Sequence, residues 1–193
     1  MIDIIAVTYK QRDNLKCFIN SIKSQINPNW NLYIIHDGPN DDLKQELIQE
    51  NYLSDNILFT SYPERKNDYG HTLRSYGLKN FASSKYVLIT NADNYYSPIF
   101  VDEILKHDHD FIYFDMIHSH PTKHNHNQSS YGLLNTKLER GHIDMGSAVI
   151  KTSIAKQIGF NHTDYAADWN YFNDILQTNP TIKKINKVLL THN

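Results

Sequence analysis

The chain opens with a β-branched apolar run, Ile2 to Thr8, and then changes period. Leu15, Phe18, Ile19, Ile22 and Ile26 recur at helical spacing, with Asp13 as the expected cap of that helix. The same alternation repeats through the first half. Trp30 to His36 predicts a second strand that stops at Asp37-Gly38-Pro39-Asn40, and Asp41 or Asp42 starts a helix turning Leu43, Leu47 and Ile48 inward. Ile57 to Ser61 predicts a third strand, His71 to Phe81 a helix, and Tyr86 to Thr90 a fourth strand. The unbroken apolarity of this last run suits a strand at the sheet centre, covered on both faces. Pro98 suits the first turn of a helix carrying Ile99, Val101, Ile104 and Leu105. Strands alternating with amphipathic helices predict β-α-β units, hence an α/β fold with a mainly parallel central sheet flanked by helices.

The second half is less regular. Phe111 to Ile117 reads as a strand, after which the pattern dissolves from His118 to about Asp144 into a polar stretch rich in His, Asn and Ser. A segment of that length without periodicity is expected to be a loop with a role of its own. Met145 to Ile150, a helix over Thr152 to Ile158, a helix over Tyr165 to Leu176 and a strand over Ile182 to Leu190 complete the pattern. No repeat or linker divides the 193 residues, which suit a single domain, 1–193.

Composition excludes more than it selects. A formal net charge of −2 offers no surplus of Lys and Arg for a nucleic-acid partner. The single cysteine, Cys17, forms no intramolecular disulfide; it lies just off the apolar helix stripe and reads as a small packing residue in a reducing compartment. No window approaches the roughly 18 apolar residues of a membrane span, and no basic, then apolar leader opens the chain. The expectation is a cytoplasmic protein with no integral membrane association.

Candidate chemistry gathers at the strand ends. In an open α/β sheet, ligands bind beyond the carboxyl ends of the strands. That brings together Thr8-Tyr9, Asp37-Gly38 and Asn91-Ala92-Asp93-Asn94. The first turn carries neither a G-x-G-x-x-G fingerprint nor a P-loop, so a phosphate would be held another way. A carboxylate recruiting Mg²⁺ or Mn²⁺ is the natural substitute. Each of these residues also has a plainer reading. Asp37 fits a turn, Asp93 an Asx turn or helix cap, Arg74 an ion pair on a helix surface, and Asp168 with Trp169 an ordinary amphipathic helix. Among His118, His120, His124 and His126, the flanking Pro, Thr, Lys and Asn favour a polar loop that orders over a bound ligand, rather than a zinc site.

Several segments, in order, carry a resemblance: Ala6-Val7-Thr8-Tyr9-Lys10-Gln11-Arg12; Leu15, Ser21 and Gln25; Ile34-Ile35-His36-Asp37-Gly38; Gly70, Arg74, Gly77 and Leu78; Tyr86 through Asn94; Gly146-Ser147; and Ala167-Asp168-Trp169. Together they resemble the family 2 glycosyltransferases, which have the Rossmann-like GT-A fold and transfer sugars from nucleotide donors with inversion. The resemblance implies nucleotide contacts from Thr8, Tyr9, Asp37, Arg74 and Asn91. It implies a divalent cation, Mn²⁺ or Mg²⁺, on Asp93, with His192 as a further ligand. It also implies a catalytic base at Asp168, with Trp169 offering a flat face to the acceptor sugar. The implied partners are a nucleotide-sugar donor, UDP-linked by expectation, and a carbohydrate or other hydroxyl acceptor.

Three positions depart from the family pattern. Ser75 replaces an Asn, Asn91 replaces the commoner Asp of the D-x-D motif, and Ala167 stands where Glu is frequent. The last two keep open an alternative, a catalytically silent nucleotide- or carbohydrate-binding module on the same fold. A nucleotidyltransferase would share the sheet and the carboxylates, but its Gly-rich basic loop after the first strand is missing.

Overall fold

A computed structural model describes residues 1–122 and 125–193, with side chains for all of these except 120–122 and 125–130. The first half follows the predicted order: β1 (Ile2–Thr8), α1 (Arg12–Lys23), β2 (Trp30–His36), α2 (Asp41–Gln49), β3 (Ile57–Ser61), α3 (His71–Asn80) and β4 (Tyr86–Asn91). A two-residue strand β5 (Tyr95–Tyr96) and α4 (Phe100–Leu105) follow. The second half comprises β6 (Phe111–Thr122), β7 (Asn125–Leu134), a 3₁₀ turn (Met145–Ser147), β8 (Ala148–Lys151), α5 (Thr152–Ile158), α6 (Ala167–Leu176) and β9 (Ile182–His192).

The strands form one sheet in the order β3-β2-β1-β4-β8-β6-β9-β5, with β7 paired to β6. β1, β2, β3 and β4 are mutually parallel, and β6 and β9 run in the same direction because β8 lies antiparallel between β4 and β6. Among the described strands, only β5, β7 and β8 oppose that direction. The mainly parallel sheet is therefore as the alternating pattern predicts.

Period-two alternation within β1 explains how one apolar run serves two cores. Ile2, Ile4 and Ala6 pack with the buried faces of α1, α2 and α4, while Ile5 and Val7 pack with α3, α5 and α6 on the other side. Gly77 lets α3 lie close against the second face; a Cβ there would sit 2.4 Å from Ile5 Cγ2 and 2.7 Å from Ile35 Cδ1. Asp3, fully buried in β1, is satisfied rather than stranded. Its carboxylate accepts from the backbone amides of Ser83 and Ser84 (both 2.7 Å), the Ser84 hydroxyl (2.8 Å) and the Asn31 amide (2.8 Å).

Several local expectations change. Asp13 does not cap α1: it lies in the first turn, and Gln11 holds the cap position without a side-chain bond. The helix ends at Lys23, so Ile26 falls beyond it and is 65% exposed. Cys17 is exposed, not packed, and Ile48 also faces outward. Pro98 precedes the cap residue Ile99 of α4 and stands outside the helix. The polar stretch after His118 is not simply a loop, since β6 continues to Thr122 and pairs with β7 as an antiparallel hairpin. Met116↔Leu134 and Ile117↔Leu133 anchor its apolar base. His124 lies outside the described residues.

Candidate active site

β1 sits between β2 and β4, which the chain reaches in opposite directions, and this is the switch point where a crevice opens. A cavity of about 340 Å³ lies there, lined by Thr8 and Tyr9 from the end of β1, Asp37 from the end of β2, and Asn91 and Asp93 from the end of β4, together with Arg65 and Asn67. Five of the residues singled out from sequence thus meet in one place. Thr8 is buried, and its hydroxyl has no protein partner. The Arg65 guanidinium lies 4.1 Å from the centre of the Tyr9 ring, a cation–π contact at the cavity wall. Asp37 does serve as a turn residue: its carboxylate accepts from the backbone amides of Lys66 (2.7 Å) and Asn67 (3.0 Å) and so holds the 65–67 segment against the cavity. Each carboxylate oxygen keeps a second lone pair for a ligand donor.

Arg74 does not line this cavity. It is 5% exposed on α3 and reaches the site through another side chain, donating to Asn91 Oδ1 (2.8 Å) and to the Tyr69 carbonyl (3.0 Å). Its guanidinium also lies 3.3 Å from His71 Nδ1. With a neutral amide at 91, the buried cation makes no contact ion pair among the described residues.

Asp93 and Asp168 are both carboxyls held above the usual range. Burial pushes Asp93 up; the Gln11 amide opposes it, and smaller effects come from His192 and Asp144. Asp93 Oδ1 is buried without a protein partner. Asp168, in the first turn of α6, is pushed up to about 6, first by burial and then by the negative charge of Asp144. Arg74, the Met145 amide and His192 pull the other way. The Met145 amide donates to Asp168 Oδ2 at 3.4 Å.

Asp144 is the member of this group that the sequence reading missed. It caps the 3₁₀ turn: its Oδ1 accepts from the Gly146 amide (2.8 Å), and Ser147 returns the bond to complete a capping box. Its other carboxylate oxygen, Oδ2, lies 3.4 Å from His192 Nε2. The turn itself is pinned from below. The Tyr96 hydroxyl donates to the Gly146 carbonyl (2.8 Å) and bonds the Thr90 hydroxyl (2.8 Å), which accepts from the Asn94 amide (2.9 Å). Any Cβ at Gly146 would lie 2.8 Å from both Thr90 Oγ1 and Tyr96 Oη. The available signal was Asp144-Met-Gly-Ser147 immediately before the apolar run Ala148-Val149-Ile150, a capping pattern hidden at the end of the polar stretch.

His192 ends β9 beside His118 of β6, its register partner, with ring centres 4.5 Å apart and planes within 4°. Its Nδ1 is buried without a partner. Trp169 is half-buried, packed against the α3-α5-α6 core. Among the described residues no three ligating side chains converge on one point. The donor chemistry nonetheless fits a divalent cation, because Asp93 Oδ1 and His192 Nδ1 are buried polar atoms that no protein group satisfies. Two protein ligands suffice for a cation that takes its remaining oxygens from a diphosphate and water.

A model of glycosyl transferase family 2 matches residues 3–166. The chain belongs to that family. No curated protein matches its sequence. Among solved structures, the family 2 chain is similar to S. aureus TarS 1-349, with a TM-score of 0.76 at 16% identity, covering 99% of this chain and 60% of that one. The same TarS fragment in complex with UDP-GlcNAc matches at 0.72 and 15%, over 100% of this chain and 58% of that one. The mannosyltransferase PcManGT from Pyrobaculum calidifontis, in complex with GDP-Man and Mn²⁺, matches at 0.73 and 14%, over 98% and 56%. The likeness shows the GT-A fold, and the family 2 chain spans under two thirds of the length of each of these structures.

Proposed function

We propose that the chain transfers a sugar from a nucleotide donor, UDP-linked, to an acceptor hydroxyl with inversion, assisted by Mn²⁺ or Mg²⁺. The observation that carries this reading is the pairing of two features. A cavity at the switch point ends in Asp93, and a carboxylate near neutral pKa, Asp168, stands beside the same Asp144 that acts on Asp93. Solved structures of the fold hold UDP-GlcNAc in one case and GDP-Man with Mn²⁺ in another, which supports a nucleotide-sugar for this cavity.

In this reading Thr8 and Asp37 hold the base, and Asn91, oriented by Arg74, meets the ribose or phosphate side. Asp93 and His192 hold the cation, which when bound offsets negative charge on the departing diphosphate. Asp168 accepts the acceptor hydroxyl's proton as that oxygen bonds to the anomeric carbon, while the bond from that carbon to the diphosphate oxygen breaks. A group with a pKa of about 6 is mostly ionised at neutral pH and still basic enough to take the proton. Trp169, beside the base in sequence and half-buried, is the residue this reading offers to the acceptor sugar.

Asn91 favours the second reading, a silent binding module, since an amide brings no negative charge to the cation. Release of nucleoside diphosphate from UDP-sugars, measured for wild type and Asp168→Asn, separates the two. The proposed enzyme turns over and the variant falls by about 10²–10⁴-fold. A wild type that binds donor without hydrolysis or transfer on any acceptor, identical to the variant, contradicts catalysis.

A further inference from the structure

A second cavity, of about 560 Å³, lies along another face of α3 and falls within the usual range for ligand pockets. The switch-point cavity touches α3 at its cap Gly70 and at Leu73. The second runs past Thr72, Ser75, Tyr76, Lys79 and Asn80, whose spacing of three and four places them on one helix face. Residues 160–163, between α5 and α6, and Tyr62, just past β3, complete the lining. From His71 to Asn80 this groove follows the helix for about 13 Å, at 1.5 Å per residue. That is longer than a single sugar ring.

One end of the groove adjoins the proposed site of transfer. The His71 ring stacks on Phe160 with centres 5.9 Å apart, and the Arg74 guanidinium lies 5.8 Å from the same Phe160 ring. The Arg74 charge reaches Asp168, and that of Asp164, immediately after the 160–163 wall, reaches His71. Asp164 also holds the turn into α6, accepting from the Ala166 amide at 2.7 Å.

The lining selects a neutral ligand. Among the described residues it carries one lysine, no arginine and no carboxylate. Its histidines add no free cation: burial, then the Arg74 charge, holds His71 below the ordinary imidazole range, and His162 Nε2 is joined to Asp174 at 2.6 Å. What the groove offers instead is rings and neutral polar groups. Tyr62 and Tyr76 are half-buried and meet edge to face, 5.3 Å between centres. The Ser75 and Thr163 hydroxyls, and the Oδ1 atoms of Asn80 and Asn161, take part in no hydrogen bond among the described residues. A sugar unit presents the matching mixture, a C–H face for a ring and a rim of hydroxyls that both donate and accept. Ser75 is also the position where the sequence departs from the family's Asn, and its shorter side chain leaves more of the groove open.

We propose that this groove binds the sugar units behind the reacting one, so that the acceptor is a neutral oligosaccharide rather than a single sugar. This rests on the reading that the chain transfers a sugar to a hydroxyl. The acceptor's reacting end then lies towards Asp168, and its remainder runs along α3 towards Asn80.

A printed array of defined neutral and anionic glycans, from mono- to hexasaccharides, tests it with the labelled full chain. The expected result is binding to neutral oligosaccharides and, for the same sugar as a monosaccharide, an apparent affinity at least tenfold weaker. Ser75→Trp, which fills the groove, and Tyr76→Ala, which removes a ring, should each weaken binding at least tenfold. Thermal unfolding of Ser75→Trp, within a few degrees of the wild type, shows that the block and not misfolding is responsible. Lys79→Ala and added salt should change binding less than twofold, as a neutral ligand requires. No glycan bound, binding confined to anionic glycans and lost with salt, or a Ser75→Trp variant that binds as the wild type does would each overturn the proposal. Titration of the wild type with UDP and Mn²⁺ separates the two levels. UDP binding without glycan binding overturns the groove alone, whereas glycan binding without UDP binding overturns sugar transfer and with it the acceptor role.

Discussion

Burial raises both Asp93 and Asp168, but their surroundings suit them to different parts of the proposed reaction. Asp93 keeps an unsatisfied oxygen at the cavity floor, which suits a cation ligand. Asp168 keeps a backbone amide at 3.4 Å and a like charge nearby, which suits a base. The raised value has two consequences of definite sign. The folded chain holds the Asp168 proton up to about pH 6, whereas the ordinary carboxyl releases it near 3.8. This group therefore favours the folded state below pH 3.8, and its contribution is lost as pH rises through 6. Asp168→Asn should stabilise the protein by about 1–3 kcal/mol at pH 8, a gain that shrinks by pH 4. Urea unfolding at the two values checks it, and an equal effect at both would deny the strained carboxylate. Turnover of the wild type should drop on acidification with a midpoint near 6; a flat profile from pH 5 to 8 would remove Asp168 as the base. The strand-end residues Thr8, Tyr9, Asp37, Asn91 and Asp93 were legible in the sequence because a strand end is a fixed place in an α/β sheet. Arg74 was legible as a residue but not as to what it touches, since its route through Asn91 depends on how α3 packs over β4.

At the level of elements, β1 to β4, α2 and α3 stand within a residue or two of their predicted limits, while α1 starts before Asp13 and stops at Lys23, short of Ile26. Their periods are strong because both faces of the parallel strands are buried. The β6–β7 hairpin escaped because its residues show no apolar alternation in the sequence, and the pairing that holds it runs through the backbone. β5 is two residues long and exists only through its pairing with β9. Asp13 has a residue type that favours a cap, yet the cap position falls two residues earlier, at Gln11, and Arg12 is the first helical residue. α3 provides the sharpest mechanical test. Alanine is ordinarily the better helix former by about 1 kcal/mol, but at position 77 its Cβ would overlap Ile5 and Ile35. Gly77→Ala should destabilise the fold by about 1–3 kcal/mol in chemical denaturation and weaken nucleotide binding, because α3 also carries Arg74. A variant as stable as the wild type would mean that α3 is free to lift off the sheet.

Across the whole molecule, the sheet brings two halves of the chain to one edge. The parallel half supplies the cavity; the mixed half supplies Asp144 and Asp168 from the segments around β8, and His192 from β9. That convergence is why the sequence offers Asp144 only as a cap: its neighbours come from the β6–β9 pairing that sets His192 next to His118, and from Tyr96 reaching across to Gly146. None of the described helices is long and apolar enough to cross a membrane. The proposed activity requires that the cavity between β1, β2 and β4 take a nucleoside diphosphate through Asp93. Calorimetric titration of UDP into the wild type and Asp93→Ala in the presence of Mn²⁺ measures this directly. Saturable one-to-one binding that weakens at least tenfold, about 1.4 kcal/mol, in the variant is the predicted result. Equal affinity in the two proteins would contradict it.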